Sequence, residues 1–392
     1  MKSASQQPQQ HREIELVGVT GSNPLGFLSA IGTFVECSRS DPAITIRWVR
    51  TSGAWRPVLG FSEPIMPSDI AGRLSQSLRL EDARELASDT SVTTELADAD
   101  KAHMQARKAV RDADDLIKKQ KLRGPERETV VKSELDPLQR IVAQKKQTWL
   151  EVLKRACPSP ELALGKDPAA QFEHFRNTAL ELVANLELRQ DRRSADLLSA
   201  FGSDAIFDDK TLRIRTTPFC FVTGSGHQYF LQTVGELLSA VDAARIHSAL
   251  FETLPPTDEK LSLRWDPVED RRYAMMWSDP TASGNKATTN WALNLLAYRG
   301  LQLYPTAPLG KKLGTTGFSL NDRQYEFSWP LWSAPLKCDT VRSLLASQDV
   351  QVEVPDRKAL AARGVDDIYR AARLMVGNPP LHKLNFSPAR AV

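Results

Sequence analysis

Metal ligands, disulfide partners and long apolar runs are scarce in this sequence, and each scarcity closes off a class of function. Four cysteines and six histidines are spread over 392 residues. Cys37, Cys157, Cys220 and Cys338 stand singly, with no CxxC pair, whereas zinc sites and disulfide frameworks need clustered or regularly spaced ligands. The cysteines therefore read as small buried hydrophobes in a reducing, cytoplasmic setting. The histidines are equally dispersed, so no metal and no cofactor is expected. No apolar run approaches the ~20 residues that a membrane span needs. The polar start, MKSASQQPQQHRE, lacks the apolar stretch of a signal peptide, and residues 1–12 read as a flexible tail. Charge of one sign is missing as well: 51 basic residues oppose 48 acidic ones, for a net +3. That excess is too small for bulk electrostatics to indicate nucleic acid, so any such contact must come from local patches.

What is present is an ordinary globular composition, 41% hydrophobic and 25% charged, enough for a sizeable core in two or three domains. Residues 13–87 read as an α/β lobe. IELVGVTG is a strand, Asn23-Pro24 an N-cap with proline at the first helical position, and LGFLSAIGTFVEC a helix buried on most sides. ITIRWVR and AWRPVLGF then alternate as paired strands. Residues 88–157 change character, with charged and small side chains dominant. Leu96, Ala99, His103, Ala106, Val110, Ala113 and Ile117 recur at spacings of three and four. So do Val131, Leu135, Leu138, Val142, Lys145, Trp149 and Val152 after Gly124-Pro125. Two such helices joined by a Gly-Pro turn make an antiparallel helical hairpin.

Residues 158–256 read as mainly helical. Asp167-Pro168 starts a helix to about Gln190, a short helix stops at Gly202, LRIRTTPFCFV gives paired strands, and a long amphipathic helix runs from about His227 to Phe251. Residues 257–392 form an aromatic-rich α+β lobe. LSLRW, YAMMW, LQLYP, TTGFSL and QYEFSWPLW read as short strands around a helix from Ala287 to Arg299, and VDDIYRAARLMV as a closing helix. The sum is an α+β chain of short mixed or antiparallel sheets with packed helices and an inserted antiparallel helical hairpin.

No segment carries a catalytic signature. The run Gly310–Thr316 lacks the GxxxxGK[ST] order of a phosphate loop and reads as a basic turn, with Lys311 and Lys312 available to a nucleic-acid backbone. Ser225 has no GxSxG elbow or triad. The segment Ser225–Gln228 reads as a helix cap, or as phosphate capture through His227 and Gln228 at a helix N-terminus. Asp266 and Asp270 would be the carboxylates of a Mg²⁺-dependent nuclease, but acid-arginine runs more commonly form surface ion pairs. Arg271 and Arg272 beside them suit phosphate, because guanidinium groups bind it bidentately. Basic residues also gather at the expected hairpin tip, Lys118, Lys119, Lys121 and Arg123, and on its second arm, Lys145, Lys146, Lys154 and Arg155. They read either as a solvated helix face or as a phosphate-binding surface. Trp265, Trp277, Trp291, Trp329 and Trp332 have the chemistry to stack bases, but their apolar settings favour core packing.

Three stretches, Asn23–Gly32 (NPLGFLSAIG), Arg264–Pro267 with Asp270–Tyr273 (RWDP, DRRY) and Phe327–Trp332 (FSWPLW), together resemble one family. Ser225–Gln228 and the segment from Asn290 (NWALNLL) fit it too. The family is that of effector-complex subunits encoded with type I-G (formerly I-U) CRISPR–Cas systems. The resemblance touches both ends of the chain and skips residues 88–157. It implies a subunit that contacts guide RNA or target DNA mainly through phosphates, among other effector subunits. It implies no catalytic residue, since cutting in such systems falls to a separate helicase-nuclease. The alternatives are a protein–protein adaptor working through the hairpin, and a nuclease using Asp266 and Asp270.

Overall fold

The computed structural model describes residues 11–120, 124–184, 192–221, 229–269, 287–321, 324–376 and 383–392. The chain folds as an α+β structure of helices packed on short antiparallel sheets. Strand β1 (His11–Glu15) is followed by helix α1 (Pro24–Cys37), then by β2 (Thr45–Thr51) and β3 (Ala54–Ile65), in the antiparallel order β1-β3-β2. The start of α1 follows from its sequence. Asn23 Oδ1 accepts from the N–H groups of Leu25 at 2.8 Å and Gly26 at 3.2 Å, with Pro24 at the first helical position. Every residue of α1 is buried.

Helices α2 (Pro67–Ser77) and α3 (Leu80–Ser88) lead into α4 (Thr90–Lys119). After α5 (Gly124–Val130) and a π-helical turn (Val131–Leu135), α6 (Asp136–Ala156) lies against α4. Arg155 pairs with Glu95 at 2.6 Å, and the His103 ring stacks on Trp149 with centroids 5.5 Å apart, so the two helices run antiparallel. Residues 121–123 between them lie outside the described residues. The inward stripe of α4 falls where its spacing put it, with His103 and Ile117 buried. On α6 the register differs by one residue at a single position: Lys145 is exposed, and Lys146 is the half-buried lysine.

A 3₁₀ turn (Pro160–Leu164) leads to α7 (Phe172–Ala184), α8 (Arg193–Phe201) and the ribbon β4 (Gly202–Asp208) with β5 (Arg213–Thr216). Two helix boundaries correct the sequence reading. Asp167 does cap, accepting from Ala169 N at 2.8 Å, but it closes only a turn. The helix starts at Phe172, because the N–H of Phe172 is drawn to Leu212 O and Gln171 bridges to Arg213. The long helix expected to end at Phe251 is two, α9 (Phe230–Ala240) and α10 (Ala243–Phe251). Asp242 accepts from Arg245 N at 2.8 Å, and this cap competes with continuation of the helix.

Short strands β6 (Asp258–Glu259) and β7 (Thr288–Thr289) precede α11 (Trp291–Gly300). Residues 261–265 form no strand, and Leu301–Leu303 is a 3₁₀ turn. Strands β8 (Thr306–Leu309) and β9 (Lys312–Thr315) form a hairpin, followed by β10 (Phe318–Asn321), β11 (Gln324–Leu331), α12 (Cys338–Leu345), α13 (Arg357–Ala362), β12 (Asp367–Val376), β13 (Lys383–Phe386) and β14 (Arg390–Ala391). The order is β10-β11-β12-β13, with β14 also on β12. The segment VDDIYRAARLMV, whose arginines and alanines suit a helix, is thus a central strand. It pairs Trp329 with Tyr369 and Phe327 with Ala371 on one side, and is covered by β13 and β14 on the other. Sheet pairing on both edges overrides helix propensity here. The buried Arg370 is accommodated by Ser328 Oγ at 2.8 Å and by the carbonyls of Val352 and Glu353.

The segments 13–87 and 257–392, which read as separate lobes, share one hydrophobic core. A single cluster of buried residues runs from Ile14 to Phe386. Strand β2 bonds across to the chain after β11, Trp48 N to Trp332 O at 2.8 Å and Ile46 N to Leu336 O at 2.9 Å. Trp265, Trp329 and Trp332 are fully buried. Each spends its indole N–H on a backbone carbonyl, of Phe219, Gly21 and Ile46 respectively, so none of the three is a base-stacking platform. Trp277 lies outside the described residues. No described helix is long and apolar enough to cross a membrane.

Candidate functional site

Where α4 and α6 meet the body of the protein they enclose a cleft of about 400 Å³. One wall is a face of α4 (Asp100, His103, Met104, Arg107), and the second is a face of α6 (Lys146, Trp149, Leu150). The third is the chain from Leu164 to Gln171 with His174 of α7, Arg213 of β5 and Tyr229. Positions 100, 103, 104 and 107 stand one turn apart on a helix, as do 146, 149 and 150, which is why each set faces the same way.

Four cations and two carboxylates line this cleft. Lys166 pairs with Asp100 at 2.7 Å and lies 5.3 Å from the centre of the Tyr229 ring. Asp167 is engaged with Ala169 N. Arg107, Lys146 and Arg213 make no ion pair with a carboxylate among the described residues. Lys146 Nζ donates to Gln171 Oε1 at 2.9 Å, and Arg213 Nη1 to Ala169 O at 3.1 Å. Burial, then the guanidinium groups of Arg213 and Arg107, hold the Lys146 ammonium below its ordinary value. Three like charges without an ion-pair partner among the described residues raise each other's cost, and an entering anion relieves it.

The two histidines are neutral components of two different walls, His103 on α4 and His174 on α7. Burial lowers His103 from 6.5, with Arg107, Lys146 and Lys166 adding to the effect and Asp100 opposing it. Burial also lowers His174, with Lys146 and Lys154 adding to it, against the bond to Ala163 O and the charge of Glu181. His174 Nε2 lies 3.2 Å from Ala163 O and carries the proton.

Of the residues singled out by sequence, only Lys146 stands in this cleft. Lys118 is exposed and paired with Asp114 beside it, while Lys119 and Lys145 point into solvent. Lys311 and Lys312 sit at the turn of the β8–β9 hairpin, with Gly310 at φ +60°. Lys121, Arg123, His227, Gln228, Asp270, Arg271 and Arg272 lie outside the described residues. The sequence reading missed Arg107, Lys166 and Arg213. Arg107 is four residues beyond the seam residue His103, so helical spacing had the means to find it. Arg213 comes from a distant strand, and no local pattern points to it.

Parts of the stretches that carry the family resemblance, from NPLG, RWDP and the segment at Asn290, meet elsewhere. Asn23, Asp266 and Asn290 line a second cavity of about 440 Å³. Asn23 caps α1 and donates from Nδ2 to Asp266 Oδ1 at 2.9 Å, and Asn290 caps α11 by accepting from Leu293 N. Asp266 also accepts from Val268 N, and Asp258 takes Arg245 and Trp291 N. The polar groups here are satisfied by one another, and they hold the ends of two core helices in place. No three His, Cys, Asp or Glu side chains come together as a metal-ligating set among the described residues. Nor is a nucleophilic thiolate available at neutral pH: burial pushes the Cys37 and Cys157 thiols up to about 12, and Cys220 and Cys338 also rise.

The chain matches no protein-family model and no curated protein.

Proposed function

We propose that this protein is a non-catalytic, nucleic-acid-binding subunit of a CRISPR–Cas interference complex of the type I-G kind, and that it grips the sugar-phosphate backbone in the cleft between α4, α6 and Arg213. The observation that carries the reading is the convergence of Arg107, Lys146 and Arg213 on one cavity without carboxylate partners among the described residues. Guanidinium and ammonium groups on different elements, held in advance of the ligand, suit phosphate oxygens. The family resemblance supplies the process and the expected partners, guide RNA or target DNA and other effector subunits.

The combined variant Arg107→Gln, Lys146→Gln, Arg213→Gln is expected to weaken binding of single-stranded DNA by about 10- to 100-fold at low salt. Its log-affinity against log-salt slope should become shallower by about 0.7 to 2, for one to three lost phosphate contacts at ~0.7 each. Fluorescence anisotropy across a salt series measures both. Wild-type affinity and slope in the variant would remove the cleft from nucleic-acid binding.

Binding should also depend on pH. The free protein holds His103 and His174 neutral, and a phosphate in the cleft favours their charged forms. Affinity is therefore expected to rise as the pH falls below about 6.5, at constant ionic strength. Stability moves the other way: histidines with lowered values take up protons more readily when unfolded, so stability is lost as the pH falls below 6.5. The double variant His103→Gln, His174→Gln should flatten the binding profile. An unaltered profile in that variant would show that other groups are responsible.

A further inference from the structure

The shape of the cleft selects the form of nucleic acid it admits, an inference that rests on the nucleic-acid reading above. Lys146 is half-buried, while Arg107 and Arg213 are exposed. The recess measures about 400 Å³, near the small end of the roughly 300–1,000 Å³ range of ligand pockets. A duplex presents its phosphates on a stiff convex surface with the bases stacked inside. Such a surface meets the exposed arginines but does not carry a phosphate with its sugar and base into a recess of this size. An unpaired strand does so readily.

The lining matches one nucleotide in its order as well as in its size. On α4, Arg107 follows Met104 by three residues, and on α6, Leu150 follows Lys146 by four. Each helix thus offers a cation and an apolar side chain about one turn apart, roughly 5–6 Å between their Cβ atoms. A nucleotide alternates charged phosphate and apolar base face on a similar scale. Met104 is 47% exposed, an apolar side chain standing open beside unneutralised cations. We propose that the cleft takes one unpaired nucleotide of a single strand, its phosphate on Lys146 between Arg107 and Arg213 and its base against Met104 and Leu150.

The test compares oligothymidylate of about 12 nucleotides, within the site sizes of single-strand binders, with a blunt duplex of the same length. Lys146→Met and Met104→Ala are made singly, and Met104 is exposed enough for its alanine variant to fold. Each is expected to weaken oligothymidylate binding by about 5- to 10-fold, the order of losing one charged contact or one base contact. Duplex binding should change by less than about 2-fold, since the rim arginines remain. Parallel weakening of both probes, or unchanged oligothymidylate binding by Met104→Ala, would overturn the single-nucleotide assignment. Those outcomes leave the phosphate-binding reading standing. That reading falls instead if the triple variant at Arg107, Lys146 and Arg213 binds both probes as the wild type does, and the assignment then falls with it.

Discussion

Gly32→Ala is expected to destabilise the protein by about 3–5 kcal/mol, at or beyond the upper end of what overpacking a core usually costs. Helices α1 and α11 cross with their backbones in direct contact at this residue. A Cβ on Gly32 would stand 1.7 Å from Leu296 O and 2.8 Å from Gly300 N, and a Cβ on Gly300 would stand 2.5 Å from Leu28 O. These are backbone atoms, so no side chain can rotate away. Both helices are buried nearly throughout, so separation must open the core that joins the N- and C-terminal segments. Urea denaturation of Gly32→Ala and Gly300→Ala measures the effect. Gly72→Ala and Gly235→Ala are the controls: both glycines lie in helices, and a Cβ there meets nothing within 4 Å. They should stabilise by about 0.5–1 kcal/mol through the ordinary glycine penalty. A Gly32→Ala protein within 1 kcal/mol of wild type, a margin well below the expected ~3–5 kcal/mol, would contradict the crossing.

Glu161→Leu should have a comparable effect, about 3–5 kcal/mol, and should reach the binding cleft as well. Glu161 and Arg299 are both fully buried, with Arg299 Nη1 at 3.4 Å from Glu161 Oε1 and the Tyr298 hydroxyl donating to the same oxygen at 3.1 Å. Arg299 Nε and Nη2 have no partner among the described residues, so the carboxylate is the only counter-charge seen there for this guanidinium. Removing it strands a charge in the core. Burial, and then the charge of Glu161, also hold the Tyr298 hydroxyl well above its usual range, so that this phenol stays protonated and donates to Glu161. The double variant Glu161→Leu, Arg299→Leu should recover much of the loss, because a well-packed apolar pair frequently equals a buried ion pair. Glu161 belongs to the 3₁₀ turn Pro160–Leu164, whose end, with Gly165 and Lys166, forms the third wall of the cleft. Single-strand binding should therefore weaken in Glu161→Leu at temperatures where the protein is still folded. Retained stability in that variant would mean that Arg299 finds another partner or leaves the core.

Local patterns carried much of the helical architecture. Asn23-Pro24 marks the start of α1 because a cap acts on amides two or three residues away, and the seam of α4 follows a spacing that helical geometry repeats. Helix α11 starts at Trp291 and not at Ala287, because Thr288 and Thr289 pair with β6 and Asn290 caps after them. The elements that were misread are those where a distant neighbour outweighs propensity. Residues 367–376 form a strand because β11 and β13 offer backbone partners on both sides, although their own composition suits a helix. The cap at Asp242 broke a helix whose apolar periodicity continues through it.

The candidate site divides in the same way. Lys146 and the α4 face bearing His103 were legible as residues of a charged helical segment, whereas Arg107 on that face was missed. The sequence alone also determined that cysteine and histidine are too dispersed to suggest a metal centre. Only the tertiary structure decided which lysine turns inward, that Arg213 and Lys166 join it, and that the terminal segments share one core. Helical phase is set by spacing along the chain, whereas a cleft is set by which surfaces pack together, and residues 107, 146 and 213 are brought to one cavity by packing across three elements.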